Sequence, residues 1–188
     1  MSEFRRYELL QEIVPVLNDQ TLVVCNIGFP SQELYAIKDD PRHFYMLGSM
    51  GLSSSIGLGL SRTTGKKVVS IDGDGSVLMN LGTLSTIANF APENYILFIV
   101  DNEAYGSTGD QQTHTAGKTD LAAMARAAGI ENVLEVDGQS AKACLESCLQ
   151  EAGPHVIVAK VASGSPKLKA IPMSPGLIRD RFKAEVQA

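Results

Sequence analysis

Apolar positions along the chain follow two periods. At helical spacing, Leu9, Leu10, Ile13, Val14 and Leu17 form one face over residues 3–18. Short continuous apolar runs behave differently. Thr21–Cys25, Phe44–Leu47, Val68–Asp72, Tyr95–Val100, Val133–Val136 and His155–Val161 are strand-sized and bounded by turn residues. Tyr95–Val100 is the most apolar of them, as a strand buried on both faces requires. Between the runs, helical patterns span Pro30–Ile37, Leu52–Leu60, Val77–Phe90 with Leu78, Leu81, Leu84 and Ile87 inward, Thr119–Ala128, Ser140–Ala152 and Gly176–Val186. Ala91-Pro92-Glu93-Asn94, Gly129 and Gly153-Pro154 supply stops, and Thr119 reads as a cap. Six alternations of strand and helix with short turns predict one α/β domain over residues 1–188. It is a doubly wound, mainly parallel sheet of about six strands with helices on both faces.

In such a sheet, ligands bind beyond the carboxyl ends of the strands. Three Gly-rich loops fall on that edge: Gly48-Ser49-Met50-Gly51, Gly73-Asp74-Gly75-Ser76, and Asp101 to Gly109. The helix at Leu52–Leu60 carries Gly57 and Gly59, each costing about 1 kcal/mol against alanine inside a helix. Something must approach this helix closely, either a neighbouring backbone or a ligand.

Composition narrows the class. With 188 residues, 44% apolar and 20% charged, the chain can build a full core. A net charge of −5 without any dense Lys/Arg block argues against nucleic acid or an anionic membrane as partner. No apolar run approaches the roughly 20 residues that span a bilayer, and the start lacks a signal-peptide core. Three cysteines, an odd count, point to reduced thiols in a cytoplasmic setting. Cys25 lies in a strand; Cys144 and Cys148 share an apolar helix face and read as small buried hydrophobes.

The loop chemistry is more specific. Asp74 ends a strand at a turn whose Gly75 and Ser76 N–H groups can face an anion. A carboxylate beside an anion-binding turn suits Mg2+, which prefers oxygen ligands including phosphate. Asn102, 28 residues further on, offers an amide oxygen, and the Ala104 carbonyl a third ligand.

Gly73-Asp74-Gly75-Ser76 followed by Asp101-Asn102 resembles the signature of thiamine diphosphate enzymes. That family has two asparagines at the second position, and Asp101 is a departure, although the implied metal ligand is the second residue, Asn102. Gly48-Ser49-Met50-Gly51 resembles the loop that grips the aminopyrimidine in thiamine-dependent decarboxylases. The resemblance implies a thiamine diphosphate-binding fold and Mg2+ held by Asp74, Asn102 and the Ala104 carbonyl. It implies cofactor contacts from Gly48, Ser49, Met50, Gly73, Asp74, Gly75, Ser76, Asn102, Ala104, Tyr105 and Gly106, with Met50 as the wedge that bends the cofactor. Asn26-Ile27-Gly28 and Ala104 to Thr115 extend it toward decarboxylation of a small anionic 2-oxo acid. The resemblance points first to sulfopyruvate as substrate, giving sulfoacetaldehyde on the way to coenzyme M, and the chain resembles phosphonopyruvate decarboxylases and acetolactate synthase more distantly. His114 as a catalytic group and Lys118 as a substrate cation are the local candidates for meeting the second anion. The family also needs a glutamate from a pyrimidine-binding domain, and the 47 residues before Gly48 are too few to hold one. The expectation is a separate α subunit and an αβ hetero-oligomer.

Other readings use the same residues. Asp72-Gly73-Asp74 fits the aspartate pair of haloacid-dehalogenase-type phosphatases, with Asp72 as nucleophile, but no acidic pair ends the later strands. A calcium loop starting at Asp72 would need glutamate where Thr83 stands. A regulatory nucleotide-binding module lacks Gly-x-Gly-x-x-Gly after the first strand.

Overall fold

The computed structural model describes residues 4–188. Glu3, the first residue of the expected N-terminal helix, lies outside them. Six strands form one parallel sheet: β1 (Thr21–Cys25), β2 (His43–Tyr45), β3 (Lys67–Gly73), β4 (Tyr95–Asp101), β7 (Asn132–Asp137) and β8 (His155–Lys160). The order across the sheet is β2-β1-β3-β4-β8-β7. The chain leaves β1 toward one edge and returns to place β3 on its other side. The crevice at the carboxyl ends of β1 and β3 is therefore the switch point at which such sheets bind ligands.

Strand alternation sorts the core into two layers. Val23 and Cys25 of β1, Val69 and Ile71 of β3, and Ile96, Phe98 and Val100 of β4 face α1 (Arg6–Ile13), α2 (Phe29–Ile37) and α7 (Ala141–Gln150). Leu22, Val24, Val68, Leu97 and Ile99 face α3 (Ser53–Ser61), α5 (Gly82–Phe90) and α6 (Leu121–Ala127). The β2 edge is covered by α8 (Pro175–Gln187), whose Ser174 caps the Leu177 N–H at 3.2 Å. β7 is the open edge and is largely exposed along its length.

Several elements differ from the sequence expectation. Pro15 ends α1 at Ile13 and leaves a 3-10 turn over Val14–Val16. The second strand stops at Tyr45, and Leu47 stands 58% exposed. The helix expected over Val77–Phe90 is two helices, α4 (Asp74–Met79) and α5, and it begins at Asp74. Asn80 breaks it because its amide donates to Gly51 O and to Ser55 Oγ, both at 3.0 Å. The cap of α6 is Asp120 and not Thr119: its carboxylate accepts from Ala123 N at 2.9 Å. The loop after β4 folds back as a hairpin, β5 (Ala104–Tyr105) against β6 (Gln111–Gln112).

The glycines of α3 are a packing device. A Cβ on Gly57 would stand 2.0 Å from Ser70 Oγ, whereas Gly59 has open space around it. Ser70 is in turn bonded to Ser53 O at 3.0 Å and to the Tyr95 hydroxyl at 3.0 Å. The close neighbour of this helix is therefore β3.

Candidate functional site

The cleft at the switch point is built from three strand ends and one helix. Asn26, Ile27, Phe29 and Pro30 follow β1; Gly73, Asp74, Gly75 and Ser76 follow β3; Asn102 and Ala104 to Thr108 follow β4. Arg6 of α1 and Met50 complete the wall. Gly75 is required by the fit of its neighbour, since a Cβ there would stand 2.2 Å from the Tyr105 ring. The loop holding Met50 is pinned to α4: Gly51 N donates to Ser76 Oγ at 2.9 Å, and Gly51 itself has a positive φ of 93°.

Asp74 is 1% exposed, in the first turn of α4, where N–H groups have no intrahelical acceptor. Its Oδ2 accepts from the hydroxyls of Thr113 and Thr115, the latter at 2.9 Å. Thr115 also reaches Asp101 Oδ1 at 2.9 Å, so one hydroxyl stands between two carboxylates. Burial pushes the Asp74 carboxyl above the ordinary range; the Thr113 hydroxyl opposes this, and the nearby Asp101 charge adds to it.

The other oxygen of Asp74 defines a possible metal position. Turned one way, the Asn102 amide donates from its nitrogen to Ala104 O at 3.0 Å and to Asp74 Oδ1 at 3.1 Å. Turned the other way, it presents an oxygen to two oxygens with no hydrogen among them. Three oxygens so placed repel one another unless a cation lies between them. Adjacent ligands in a Mg2+ octahedron are about 3.0 Å apart, given metal–oxygen distances near 2.1 Å. The spacing around Asn102 fits that edge. Among the described residues no three His, Cys, Asp or Glu side chains gather, so a metal here would rest on mixed oxygen ligands.

Residues 26–159 match the family model described as thiamine pyrophosphate enzyme, C-terminal TPP binding domain. The chain belongs to the thiamine pyrophosphate enzyme family. It is 44% identical over 183 residues, 97% of each chain, to a protein of Methanocaldococcus jannaschii named sulfopyruvate decarboxylase subunit beta. It is 43% identical over 169 residues to the sulfopyruvate decarboxylase of Methanosarcina acetivorans, covering 88% of this chain and 43% of that one. Among solved structures, benzoylformate decarboxylase from Polynucleobacter necessarius superposes with a TM-score of 0.70 at 19% identity, over 88% of this chain and 34% of that chain, which shows the shared fold.

Within this thiamine pyrophosphate-binding domain, Met50, Gly73, Asp74, Gly75, Ser76, Asn102, Ala104, Tyr105 and Gly106 meet at one cleft, as the sequence pattern anticipates. Gly48 and Ser49 stand exposed beside it, and Ser49 has a positive φ of 61°. His114 and Lys118 are not brought to the cleft. They are exposed and line a separate groove with Gln112 and Gly117. Thr113 and Thr115 turn inward to Asp74, and His114, at the start of a 3-10 turn over His114–Ala116, is left exposed between them. Asp72, the nucleophile of the phosphatase reading, is 1% exposed and does not line the cleft.

Four contributors were not singled out by the sequence. Thr113 and Thr115 hold Asp74, and Lys160 at the end of β8 pairs with Asp101 at 2.6 Å. Arg6 enters from a distant helix. The Thr-x-Thr alternation was the one local signal available; Lys160 and Arg6 depend on contacts remote in sequence.

Proposed function

We propose that this chain is the diphosphate-binding subunit of a thiamine diphosphate-dependent decarboxylase that converts sulfopyruvate to sulfoacetaldehyde and carbon dioxide, in the route to coenzyme M. The observation that carries the cofactor reading is the convergence of Asp74 Oδ1, the Asn102 amide and the Ala104 carbonyl beside the Gly75–Ser76 turn. The substrate reading rests on the near full-length similarity to the Methanocaldococcus β subunit. Thiamine diphosphate, when bound, supplies the electron sink for the bond broken to carbon dioxide.

The residues of this chain bind and orient. Asp74, Asn102 and Ala104 O would hold Mg2+, whose charge would favour the phosphate end of the cofactor. Thr113 and Thr115 fix the Asp74 carboxylate so that Oδ1 remains for the metal. Met50, in the cleft wall, would pack against the cofactor, and Gly48 and Ser49 would offer polar backbone groups to it. His114 and Lys118, in their open groove, serve only through a surface shared with a second chain.

That second chain is a pyrimidine-domain partner, an α subunit carrying the activating glutamate, in an αβ hetero-oligomer working in the cytoplasm. Residues 1–188 act as a single domain in it. Leu47, Leu52 and Met79 are 58%, 42% and 62% exposed around the Gly48–Gly51 loop, an apolar rim suited to a covering chain. The Methanosarcina relative, of which this chain covers less than half, has length enough for both parts in one polypeptide.

Co-expression with a candidate pyrimidine-domain partner tests the reading, with sulfopyruvate, phosphonopyruvate and pyruvate assayed with and without thiamine diphosphate. Cofactor-dependent turnover of sulfopyruvate only in the paired preparation is the expected result. Preference for pyruvate, or full activity from this chain alone, contradicts it.

A further inference from the structure

We propose that Arg6 is a cofactor-binding residue whose guanidinium, with the Asn26 amide in the same cleft wall, grips the anionic phosphate end of thiamine diphosphate. The inference rests on the cofactor reading above and adds to it a cation that no loop motif contains.

Arg6 opens α1 yet is 6% exposed, unusual for an arginine at a helix start. Its Nε and Nη2 donate to Glu33 at 2.7 and 2.9 Å, and Nη2 also reaches Ser165 Oγ at 2.5 Å. Glu33 is fully buried. A bidentate pair of this kind fixes the guanidinium plane. Among the described residues, Nη1 has no hydrogen-bond partner, which leaves its two donors unspent. The side chain forms part of the same cleft wall as Asp74, Gly75 and Ser76.

Charge balance favours an anion there. Among the described residues that line the cleft, Arg6 is the one cation and Asp74 the one carboxylate. A diphosphate carries more negative charge than one Mg2+ neutralises once Asp74 is counted, so a buried excess remains. Glu33 already balances the Arg6 charge, so what the guanidinium offers that excess is the charge-assisted hydrogen bonds of its two Nη1 donors.

Asn26 shares the cleft wall with Arg6. It ends β1, is 4% exposed, lines the cleft, and its Oδ1 has no hydrogen-bond partner among the described residues. A buried amide left so is costly. An anion only accepts, so it would bond the Asn26 NH2 group and would leave the buried Oδ1 without a donor. A purely structural role, with Arg6 stapling α1 to α2 through Glu33, accounts for the ion pair but leaves the two Nη1 donors unused.

The test is calorimetric titration of the full chain with thiamine diphosphate and Mg2+, and separately with inorganic pyrophosphate and Mg2+. Removing Arg6 alone strands Glu33, so the pair is replaced together by apolar residues of similar size, Arg6→Met with Glu33→Leu, a change often tolerated by a fold. Loss of one charge-assisted contact predicts affinity for both ligands weakened about ten- to a hundredfold with thermal stability retained. Asn26→Leu predicts a smaller loss, up to about tenfold. If the double variant unfolds, Arg6→Lys decides: it keeps the charge but loses the fork, and weaker binding of both ligands is expected. Unchanged binding of pyrophosphate and cofactor by these variants overturns the role of Arg6. Absence of binding by the wild-type chain overturns the cofactor reading itself.

Discussion

Lys160 Nζ lies 2.6 Å from Asp101 Oδ2, immediately behind the asparagine that faces Asp74. Asp101 is 1% exposed, whereas the Lys160 side chain is 46% exposed and also lies 3.7 Å from Glu103. Partial burial is the largest single effect and opposes the lysine charge, but the bond to Asp101 together with the charges of Asp101, Glu103 and Asp74 outweighs it and holds the ammonium above its ordinary range. The pair explains how this chain carries an aspartate where the family pattern has an asparagine. The extra carboxylate next to Asp74 is neutralised by the end of β8, and its other oxygen accepts from Thr115.

A double-mutant cycle follows from that arrangement. Lys160→Met leaves Asp101 unpaired and is expected to lower stability by about 1–2 kcal/mol, discounted because the lysine is half exposed. Adding Asp101→Asn removes the stranded charge and recovers most of the loss. Denaturant melts of the four proteins measure the coupling; strict additivity contradicts the pairing.

Two glycines on one helix should respond oppositely. Gly57→Ala puts a methyl 2.0 Å from Ser70 Oγ and breaks the Ser70–Tyr95 contact, for an expected loss of about 1–3 kcal/mol. Gly59→Ala meets nothing within 4 Å and is expected to stabilise α3 by up to about 1 kcal/mol. Thermal melts of the two variants should move in opposite directions, and a common shift would show that α3 is not packed as described.

His43 provides a pH signature. It is 4% exposed, and burial pushes its pKa down to about 4; the Asp40 charge pulls it upward, while Lys38 and Arg42 repel the proton. The Tyr45 hydroxyl is 3.4 Å from Nδ1. The folded ring is therefore neutral where the unfolded ring, near 6.5, becomes charged. The unfolded chain binds the extra proton, so stability falls as pH drops from about 6.5 toward 4, by roughly 2–3 kcal/mol in all. The contribution is fully present above that window. Urea titrations across it should show a shallower slope for His43→Gln than for the wild type, and equal slopes would contradict the assignment.

Much of the fold was legible because its signals are local. The run at Thr21–Cys25 is a strand with those bounds, and Tyr95–Val100 is buried on both faces as its apolarity requires. The Asp74 turn and Asn102 were legible for the same reason: strand end, glycine and ligand are neighbours in sequence. What was not legible depends on contacts across the fold. Asn80 breaks a helix because Gly51 and Ser55 are there to bond it. His114 is left exposed between Thr113 and Thr115, which turn to Asp74. Gly57 reads equally as a ligand approach or a packing contact until Ser70 is seen against it. Arg6 resembles a solvated helix start until Glu33 is found beneath it.

The central claim is that Asp74, Asn102 and the Ala104 carbonyl hold a divalent cation bridging this chain to a diphosphate. Mn2+, which accepts the same oxygen octahedron, makes the site visible to electron paramagnetic resonance. The full chain with thiamine diphosphate is predicted to immobilise Mn2+, and Asp74→Ala to abolish that signal while leaving the thermal melt nearly unchanged. Immobilised Mn2+ of equal intensity in Asp74→Ala, or none in the wild-type chain, would contradict the account.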